Sequence, residues 1–182
     1  MSTPTWNIRR LAAVSQGELE ALCDILIDCV EGGASVGFMH PLARERAMAF
    51  WRRVAREVAL GERILIIAQD EQGICGTVQL IVGLPENQPH RADLAKMLVL
   101  RRARRRGLGE ALMRAAEEAA LERGKTLLVL DAVTGGAPAR LYERLGWVRV
   151  GDIPNYALMP DGQPCGTTYF YRDLRQNSAA IP

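Results

Sequence analysis

The fold is decided by one stretch, Val99-Leu-Arg-Arg-Ala-Arg-Arg-Arg-Gly-Leu-Gly109, which joins an apolar segment to a helix. Its glycines, Gly107 and Gly109, remove side chains where backbone N–H groups must approach a ligand. Apolar residues then recur with helical spacing, at Leu108, Ala111, Leu112, Ala115, Ala116 and Ala119. The turn therefore precedes a helix. Because the positive end of a helix attracts anions, we predict a phosphate cradle here.

The arginines of this stretch have other interpretations. Five of the six residues 101–106 are arginine, as in patches that bind nucleic acid. However, the formal net charge is only +2, and no aromatic residue alternates with these arginines to stack on bases. The Walker and dinucleotide motifs also fail, because no Lys-Ser/Thr pair follows and position 112 is Leu. Nucleic acid is not an expected partner, and an ordinary solvated loop remains the alternative.

Length and composition limit the class of protein. A chain of 182 residues with 48% hydrophobic content is most simply one domain over residues 1–182. Apolar runs such as 64–68 are too short to span a bilayer, and the N-terminus lacks the apolar core of a signal peptide. We therefore expect a cytoplasmic protein without a membrane partner. The four cysteines lack Cys-x-x-Cys spacing and partner histidines, so no metal is expected.

The hydrophobic pattern predicts alternating strands and helices. A capping box, Ser15 with Glu18, opens the first helix, which ends at Gly32. Pro41 lies in the first turn of the predicted second helix. The predicted strands cover 5–11, 63–69, 74–82, 93–100, 126–131, 147–151 and 167–174, and the later helices cover 41–60, 108–123 and 138–145. This order predicts an α/β fold, a mixed sheet of about seven strands with about four helices on its two faces.

These features resemble the GNAT superfamily of N-acetyltransferases. The resemblance is carried by the Arg-x-x-Gly-x-Gly turn at 104–109 and by Ala139-Arg-Leu-Tyr-Glu-Arg-Leu-Gly-Trp147, and it covers about 8–172. Segments 32–39, 96–99 and 160–162 are similar to the tabtoxin-resistance acetyltransferase subgroup. The resemblance implies a splayed sheet with a bulged fourth strand, acetyl-CoA as co-substrate and a small-molecule amine as acceptor. Homodimers are common among such proteins.

The resemblance also implies a cofactor site. Backbone N–H groups of the bulged strand would meet the thioester, and those of the turn would hold the pyrophosphate, with Arg102 a further source of positive charge. The residues concerned are Met97, Leu98, Val99, Arg104, Arg105, Arg106, Gly107, Leu108, Gly109 and Glu110.

Three residues are candidates for proton transfer. Tyr142 matches the tyrosine that this superfamily places near the cofactor sulfur, although packing under its helix is the alternative. Asp131 ends an apolar strand at the carboxyl edge of the sheet, where such folds bind ligands. Asp93 shares a predicted strand face with Met97 and Val99. Either aspartate is a candidate base, and the alternatives are a turn cap for Asp131 and an ordinary strand-start residue for Asp93.

Acceptor binding is assigned to segments 31–38 and 155–163. The candidate residues are Gly33, Ser35 and Phe38, and a plain glycine-rich connector is the alternative. The expected activity is direct acetyl transfer, in a ternary complex, to the amine of an amino-acid-like metabolite or a tabtoxinine-β-lactam-like toxin. The cysteines lie outside the expected site motifs, so a covalent acyl-cysteine route lacks a nucleophile. The alternatives are a protein or peptide N-acetyltransferase and a non-catalytic acyl-CoA-binding regulatory module.

Overall fold

The computed structural model describes residues 6–177. Within them, seven strands form one mixed sheet in the order β1-β2-β3-β4-β5-β7-β6. The strands are β1 (Asn7–Leu11), β2 (Arg63–Asp70), β3 (Gly73–Ile81), β4 (Arg91–Val99), β5 (Leu127–Val133), β6 (Val148–Leu158) and β7 (Pro164–Asp173), and the α-helices are α1 (Gln16–Glu31), α2 (Arg44–Ala59), α3 (Leu108–Glu122) and α4 (Ala137–Arg144). The predicted fold class is confirmed, and the predicted start of β1 at residue 5 lies outside the described residues.

The sequence predicted the start of α1 correctly but not the start of α2. Ser15 caps α1 as predicted, since the Glu18 N–H donates to Ser15 Oγ at 3.3 Å and the Ser15 N–H donates to Glu18 Oε2 at 2.8 Å. The prediction that α2 includes Pro41 is wrong, because α2 begins at Arg44. The His40 N–H donates to the Pro160 carbonyl at 3.0 Å, so the chain before α2 is held by the β6–β7 turn rather than by a helix.

Strands β4 and β5 give the sheet its opening. They are parallel, as expected for strands joined by the crossover helix α3, but they pair only over Arg91–Asp93 and Leu127–Val129. Past these positions, nothing between residues 6 and 177 pairs with the β5-facing edge of β4. The sheet is therefore splayed, as the resemblance implied.

A bulge lies in β4 beside the opening. Between Thr77 and Gln79, β3 has one residue where β4 has two between Ala95 and Leu98. Lys96, the first of these two, has a φ of +49°, a left-handed conformation that is uncommon for a residue with a side chain. The extra residue changes which face each later side chain of β4 occupies.

The bulge corrects one prediction about β4. Leu94 packs in the cluster under α3 and α4, and Met97 and Val99 pack against that same cluster. Leu98 belongs instead to the cluster under α1 and α2. Asp93 precedes Leu94 and lies on the opposite face, so the prediction that Asp93 shares a face with Met97 and Val99 is wrong. Strict alternation fails because one residue has been inserted.

Two hydrophobic clusters cover the faces of the sheet. One packs α3 and α4 on the strands and contains Leu112 and Phe170. The other packs α1 and α2 on the opposite face and contains Leu22, Trp51 and Leu65. No helix within the described part of the chain is long and apolar enough to cross a bilayer.

The C-terminal hairpin is longer than predicted. Strands β6 and β7 extend over Val148–Leu158 and Pro164–Asp173, so residues 155–158 of the predicted loop 155–163 belong to β6, and the turn covers 159–163. β6 is an edge strand with exposed side chains along most of its length, Val150 being 67% exposed. A strand exposed on both faces has no apolar alternation, so its extent could not be predicted from periodicity.

Candidate active site

The predicted phosphate cradle has the backbone that anion binding requires. Arg105 has a φ of +60°, and Gly107, the N-cap of α3, has a φ of +86°. Left-handed residues in a turn can direct successive N–H groups into one concavity. No side chain caps α3, so its positive end is open to a ligand. The predicted contributions of Leu108 and Glu110 could come only from their backbones, because Leu108 is buried and Glu110 pairs with Arg114 at 2.8 Å.

Two of the clustered arginines have structural partners instead. Arg101 Nε donates to Asp28 Oδ1 at 2.7 Å. Arg102 makes two hydrogen bonds to Asp70, at 2.5 Å and 3.1 Å, and they hold the pKa of Asp70 below its ordinary value. The Asp70 carboxylate therefore accepts hydrogen bonds from two nitrogens of the Arg102 guanidinium group, and the contribution of Arg102 to the charge balance of a cofactor stays a prediction.

The three arginines predicted to face the cofactor have different surroundings. Arg104 Nε donates to the Val99 carbonyl at 2.9 Å, and its Nη2 lies 3.5 Å from Cys29 Sγ. The Arg106 guanidinium carbon lies 4.9 Å from the centre of the Trp6 ring, within range of a cation–π contact. Arg105 is exposed at the left-handed position. All three remain on the rim of the cradle.

The start of α3 approaches the bulged strand. A Cβ atom added to Gly109 would lie 3.2 Å from Leu141 Cδ2 and 3.8 Å from Met97 Cε. β4, α3 and α4 therefore converge beside the splay. The predicted cofactor segments 97–99 and 104–110 are brought together at this point.

The two candidate bases lie on one face of the sheet. Asp93 pairs in register with Val129, so Asp131 lies one position further along that face. Thr167 Oγ1 donates to Asp131 Oδ2 at 2.9 Å, and Arg91 Nη1 donates to Asp93 Oδ1 at 2.6 Å. Burial raises the pKa of Asp93, and the Asp131 charge adds to the effect while Arg91 opposes it. Asp93 thus retains a proton more readily than an exposed aspartate.

Tyr142 is buried against other aromatic rings. Its ring centre lies 6.1 Å from that of Trp147 and 5.9 Å from that of Phe170. Burial raises the pKa of Tyr142, and the Asp131 charge raises it further. The phenol is therefore protonated at neutral pH and can chemically donate a proton. Its packing also fits the purely structural alternative.

The glycine-rich loop after α1 packs on the face of the sheet that α1 and α2 cover, which is also the face that bears Asp93 and Asp131. Ser35 Oγ donates to the Leu158 carbonyl at 3.0 Å, which joins the loop to β6. Phe38 packs edge-on against Phe50 of α2, with ring centres 5.4 Å apart. Gly33 belongs to the turn that ends α1, with its N–H donating to the Val30 carbonyl at 3.0 Å. The loop and the β6–β7 hairpin therefore meet, and acceptor binding by these segments stays a prediction.

Lys96 is a further candidate site residue, for which the sequence predicted no functional role. Its Nζ lies 5.7 Å from the centre of the Phe50 ring and 3.9 Å from a Cβ added to Gly37. Burial lowers the pKa of Lys96, Arg63 lowers it further, and Asp131 opposes the shift. A lysine inside an otherwise apolar strand segment was the signal in the sequence. No group of three His, Cys, Asp or Glu residues that could hold a metal occurs between residues 6 and 177.

Comparison with known proteins identifies the family. Residues 61–149 match the model of the acetyltransferase (GNAT) domain. A protein described as an uncharacterized N-acetyltransferase in the hisH-hisA intergenic region of Azospirillum brasilense is 34% identical over 127 residues, which cover 69% of this chain and 74% of that protein. The chain belongs to the GNAT acetyltransferase family and is an N-acetyltransferase of that family.

Solved structures share the whole fold. An N-acetyltransferase from Staphylococcus aureus Mu50 has a TM-score of 0.76 at 16% identity, with 93% of this chain and 99% of that chain covered. The yncA protein of Salmonella typhimurium, solved with its cofactor acetyl-CoA, has a TM-score of 0.75 at 16% identity and coverages of 93% and 94%. A ribosomal-protein-alanine N-acetyltransferase from Brucella melitensis has a TM-score of 0.76 at 21% identity and coverages of 92% and 99%. Similarity at these identities concerns the fold.

Proposed function

We propose that this enzyme transfers the acetyl group of acetyl-CoA directly to the amine of a small, amino-acid-like molecule. The observation that carries the proposal is the junction of two features at one opening of the sheet. The uncapped start of α3 lies on one side, and the face that bears Asp93 and Asp131 lies on the other. A donor and an acceptor can therefore meet without a covalent intermediate.

The cofactor half of the proposed site uses backbone groups. The N–H groups of 105–110 hold the pyrophosphate, since the Arg104 N–H already donates to the Arg101 carbonyl at 3.3 Å, and the side chains of Arg104 and Arg105 add positive charge. Between Met97 and Val99, an N–H on the open edge of β4 donates to the thioester carbonyl. This hydrogen bond strengthens as the oxygen gains negative charge during attack, which lowers the barrier.

The residues on the acceptor side of the proposed site transfer the protons. Asp131 or Asp93 takes a proton from the attacking amine, because only a neutral amine has a free electron pair. The amine nitrogen then bonds to the acetyl carbon and the bond from that carbon to sulfur breaks. Tyr142, protonated at neutral pH, returns a proton to the leaving thiolate. The loop with Ser35 and Phe38 encloses the acceptor.

The acceptor class is proposed from the glycine-rich loop. Segment 32–39 and the turn 160–162 are similar to the tabtoxin-resistance subgroup, and His40, the residue that follows the first segment, donates its N–H to the Pro160 carbonyl at the start of the second. A closed loop of this kind suits a small molecule better than an extended peptide. A tabtoxinine-β-lactam-like amine is therefore the first acceptor to test.

A panel of amines tests the activity. Purified protein is mixed with acetyl-CoA and with amino acids, simple amines, a β-lactam amino acid and N-terminal peptides, and free-thiol release is followed together with product mass. We expect acetylated small molecules and a loss of rate of about 10²-fold or more in Asp131→Asn or Tyr142→Phe. Glu118→Gln, an exposed carboxylate change on α3, serves as the matched control.

The same panel separates the alternatives. Acetylated peptides without acetylated small molecules would indicate a protein acetyltransferase. If acetyl-CoA binds but wild type and variants transfer equally poorly to every amine, the regulatory-module alternative is correct and the proposed activity is wrong.

A further inference from the structure

Lys96 extends from the sheet face that bears Asp93 and Asp131, and the proposed mechanism gives it no role. It occupies the bulge of β4 with a φ of +49°, a conformation that structures usually retain only where the surroundings enforce it. Its half-buried side chain extends toward Phe50 of α2 and toward the glycine-rich loop at Gly37. No hydrogen bond or salt bridge reaches its Nζ from any residue in the described range 6–177. Its ammonium group therefore has no direct ion-pair partner among these residues, although the charge of Asp131 acts on it from a distance.

The neighbouring arginines already have partners. Arg63 Nη2 and Nε each lie 2.5 Å from Glu57 Oε2, and Arg63 Nη1 donates to Gln79 Oε1 at 2.6 Å. Arg53 lies over the Phe50 ring at 5.5 Å and 3.9 Å from Glu57. Arg46, another cation near the loop, lies 5.9 Å from the centre of the Phe38 ring and is exposed to solvent. Of Arg53, Arg63 and Lys96, only Lys96 has no ion pair with a residue of the described range.

The opposite side of the opening is acidic. Asp131 lies on the same sheet face, opposite Tyr169 of β7 in register. Asp93 lies on this face too, but Arg91 pairs with it. A molecule in the opening therefore meets a positive wall at Lys96 and a negative one at Asp131. This arrangement favours a ligand that carries both charges.

We propose that Lys96 Nζ binds a carboxylate of the acceptor, so that the substrates are compounds with a carboxylate as well as the reacting amine. This inference rests on the proposed function and adds a specificity-determining residue to it. Lys96 on β4 holds the carboxylate while Asp131 on β5 faces the amine, so the acceptor spans the opening between the two strands. A simple amine has no group for Lys96 and brings a second positive charge toward it.

Composition gives an independent indication. Of the 23 basic residues, 21 are arginine, and the two lysines are Lys96 and Lys125. A compact ammonium group places three donors in a small volume beside the loop, where a Cβ added to Gly37 would lie 3.9 Å from Nζ, and the larger planar guanidinium group of arginine would fit there less well. Lys125, whose Nζ donates to the Pro89 carbonyl at 2.7 Å, provides a matched control.

The experiment compares pairs of acceptors that differ only in the carboxylate. The pairs are L-phenylalanine and 2-phenylethylamine, L-ornithine and 1,4-diaminobutane, and the β-lactam amino acid and its decarboxylated form, each assayed with wild type, Lys96→Met, Lys96→Arg and Lys125→Met. The quantity of interest is the ratio of kcat/KM within a pair, compared between proteins, since intrinsic differences between the amines then cancel. Acetyl-CoA affinity, measured by calorimetry, verifies that each variant is folded.

We expect the preference for the carboxylate member to fall about tenfold or more in Lys96→Met, mainly through KM, and to persist in Lys125→Met. Lys96→Arg should retain part of it. An unchanged ratio in Lys96→Met overturns the inference and leaves the proposed function intact. An equal loss of kcat for both members, with a changed pH profile, overturns it too, because Lys96 would then transfer protons. Absence of transfer to any amine refutes the proposed function and, with it, this inference.

Discussion

Gly109→Ala should separate cofactor binding from stability. Gly109 lies in the first turn of α3, where alanine fits the helical conformation and stabilises it by about 0.5–1 kcal/mol. The new Cβ would contact Leu141 at 3.2 Å, so a small displacement of that side chain offsets part of the gain. The free energy of unfolding should therefore change by less than about 1 kcal/mol, which corresponds to a Tm change below about 4 °C for a chain of this size.

The effect on binding should be much larger. The Cβ that this substitution adds would fill the space beside Met97, 3.8 Å from its Cε, where the proposed cofactor passes from the cradle to the splay. We expect acetyl-CoA affinity to fall at least tenfold, equivalent to about 1.4 kcal/mol. Isothermal titration calorimetry and thermal denaturation measure the two quantities on the same sample.

Gly107→Ala should instead destabilise the protein through its backbone conformation. An added Cβ there would have nothing within 4 Å, but the φ of +86° is unfavourable for alanine and costs about 1–2 kcal/mol. This variant should lose stability while leaving the gap beside Met97 open. Wild-type acetyl-CoA affinity in Gly109→Ala would refute the placement of the cofactor between α3 and β4.

Three further predictions concern individual side chains. Tyr142→Phe retains the ring packing, so Tm should change by less than about 2 °C while the transfer rate falls; an unchanged rate would assign Tyr142 to packing alone. The folded-state pKa of Asp93 is raised by burial, so the stability that its protonated form contributes is complete below about pH 4 and is lost as pH rises through the folded pKa. In Asp93→Asn, Tm should therefore decline less steeply with pH than in the wild type. An equal slope of Tm against pH in the two proteins would contradict the raised pKa. Arg102→Ala should lower stability by about 1 kcal/mol through loss of the Asp70 pair and leave acetyl-CoA affinity unchanged, whereas Arg105→Ala should weaken binding; the reverse order would restore Arg102 to the cofactor site.

Much of the fold could be predicted because its local signals agree. The Ser15 capping box, Gly107 before α3 and the apolar stripe of that helix each point to the same structure that packing produces. The proximity of segments 97–99 and 104–110, which are proposed to bind the cofactor, could be predicted for the same reason, because both are contiguous in sequence with the turn.

The acceptor face could not be predicted as well. Asp93 and Lys96 acquire their neighbours through a bulge and a splay, which depend on the partner strands rather than on the residues themselves. The ion pairs of Arg101 and Arg102 join positions 73 and 32 residues apart, so a run of arginines gave no indication of which ones were already paired. The extent of β6 was hidden because an exposed edge strand has no hydrophobic period.

The bulge in β4 also determines where this chain can tolerate changes of length. Leu94 and Met97 face one core although they are three positions apart, while Leu98 faces the other. Deleting one residue between them would exchange the faces of every later side chain in the strand and turn Leu98 out of its cluster. We therefore expect insertions and deletions to be accepted in the exposed connection 83–90. Within β4 they should destabilise the fold, because they change which face of the sheet each later side chain occupies.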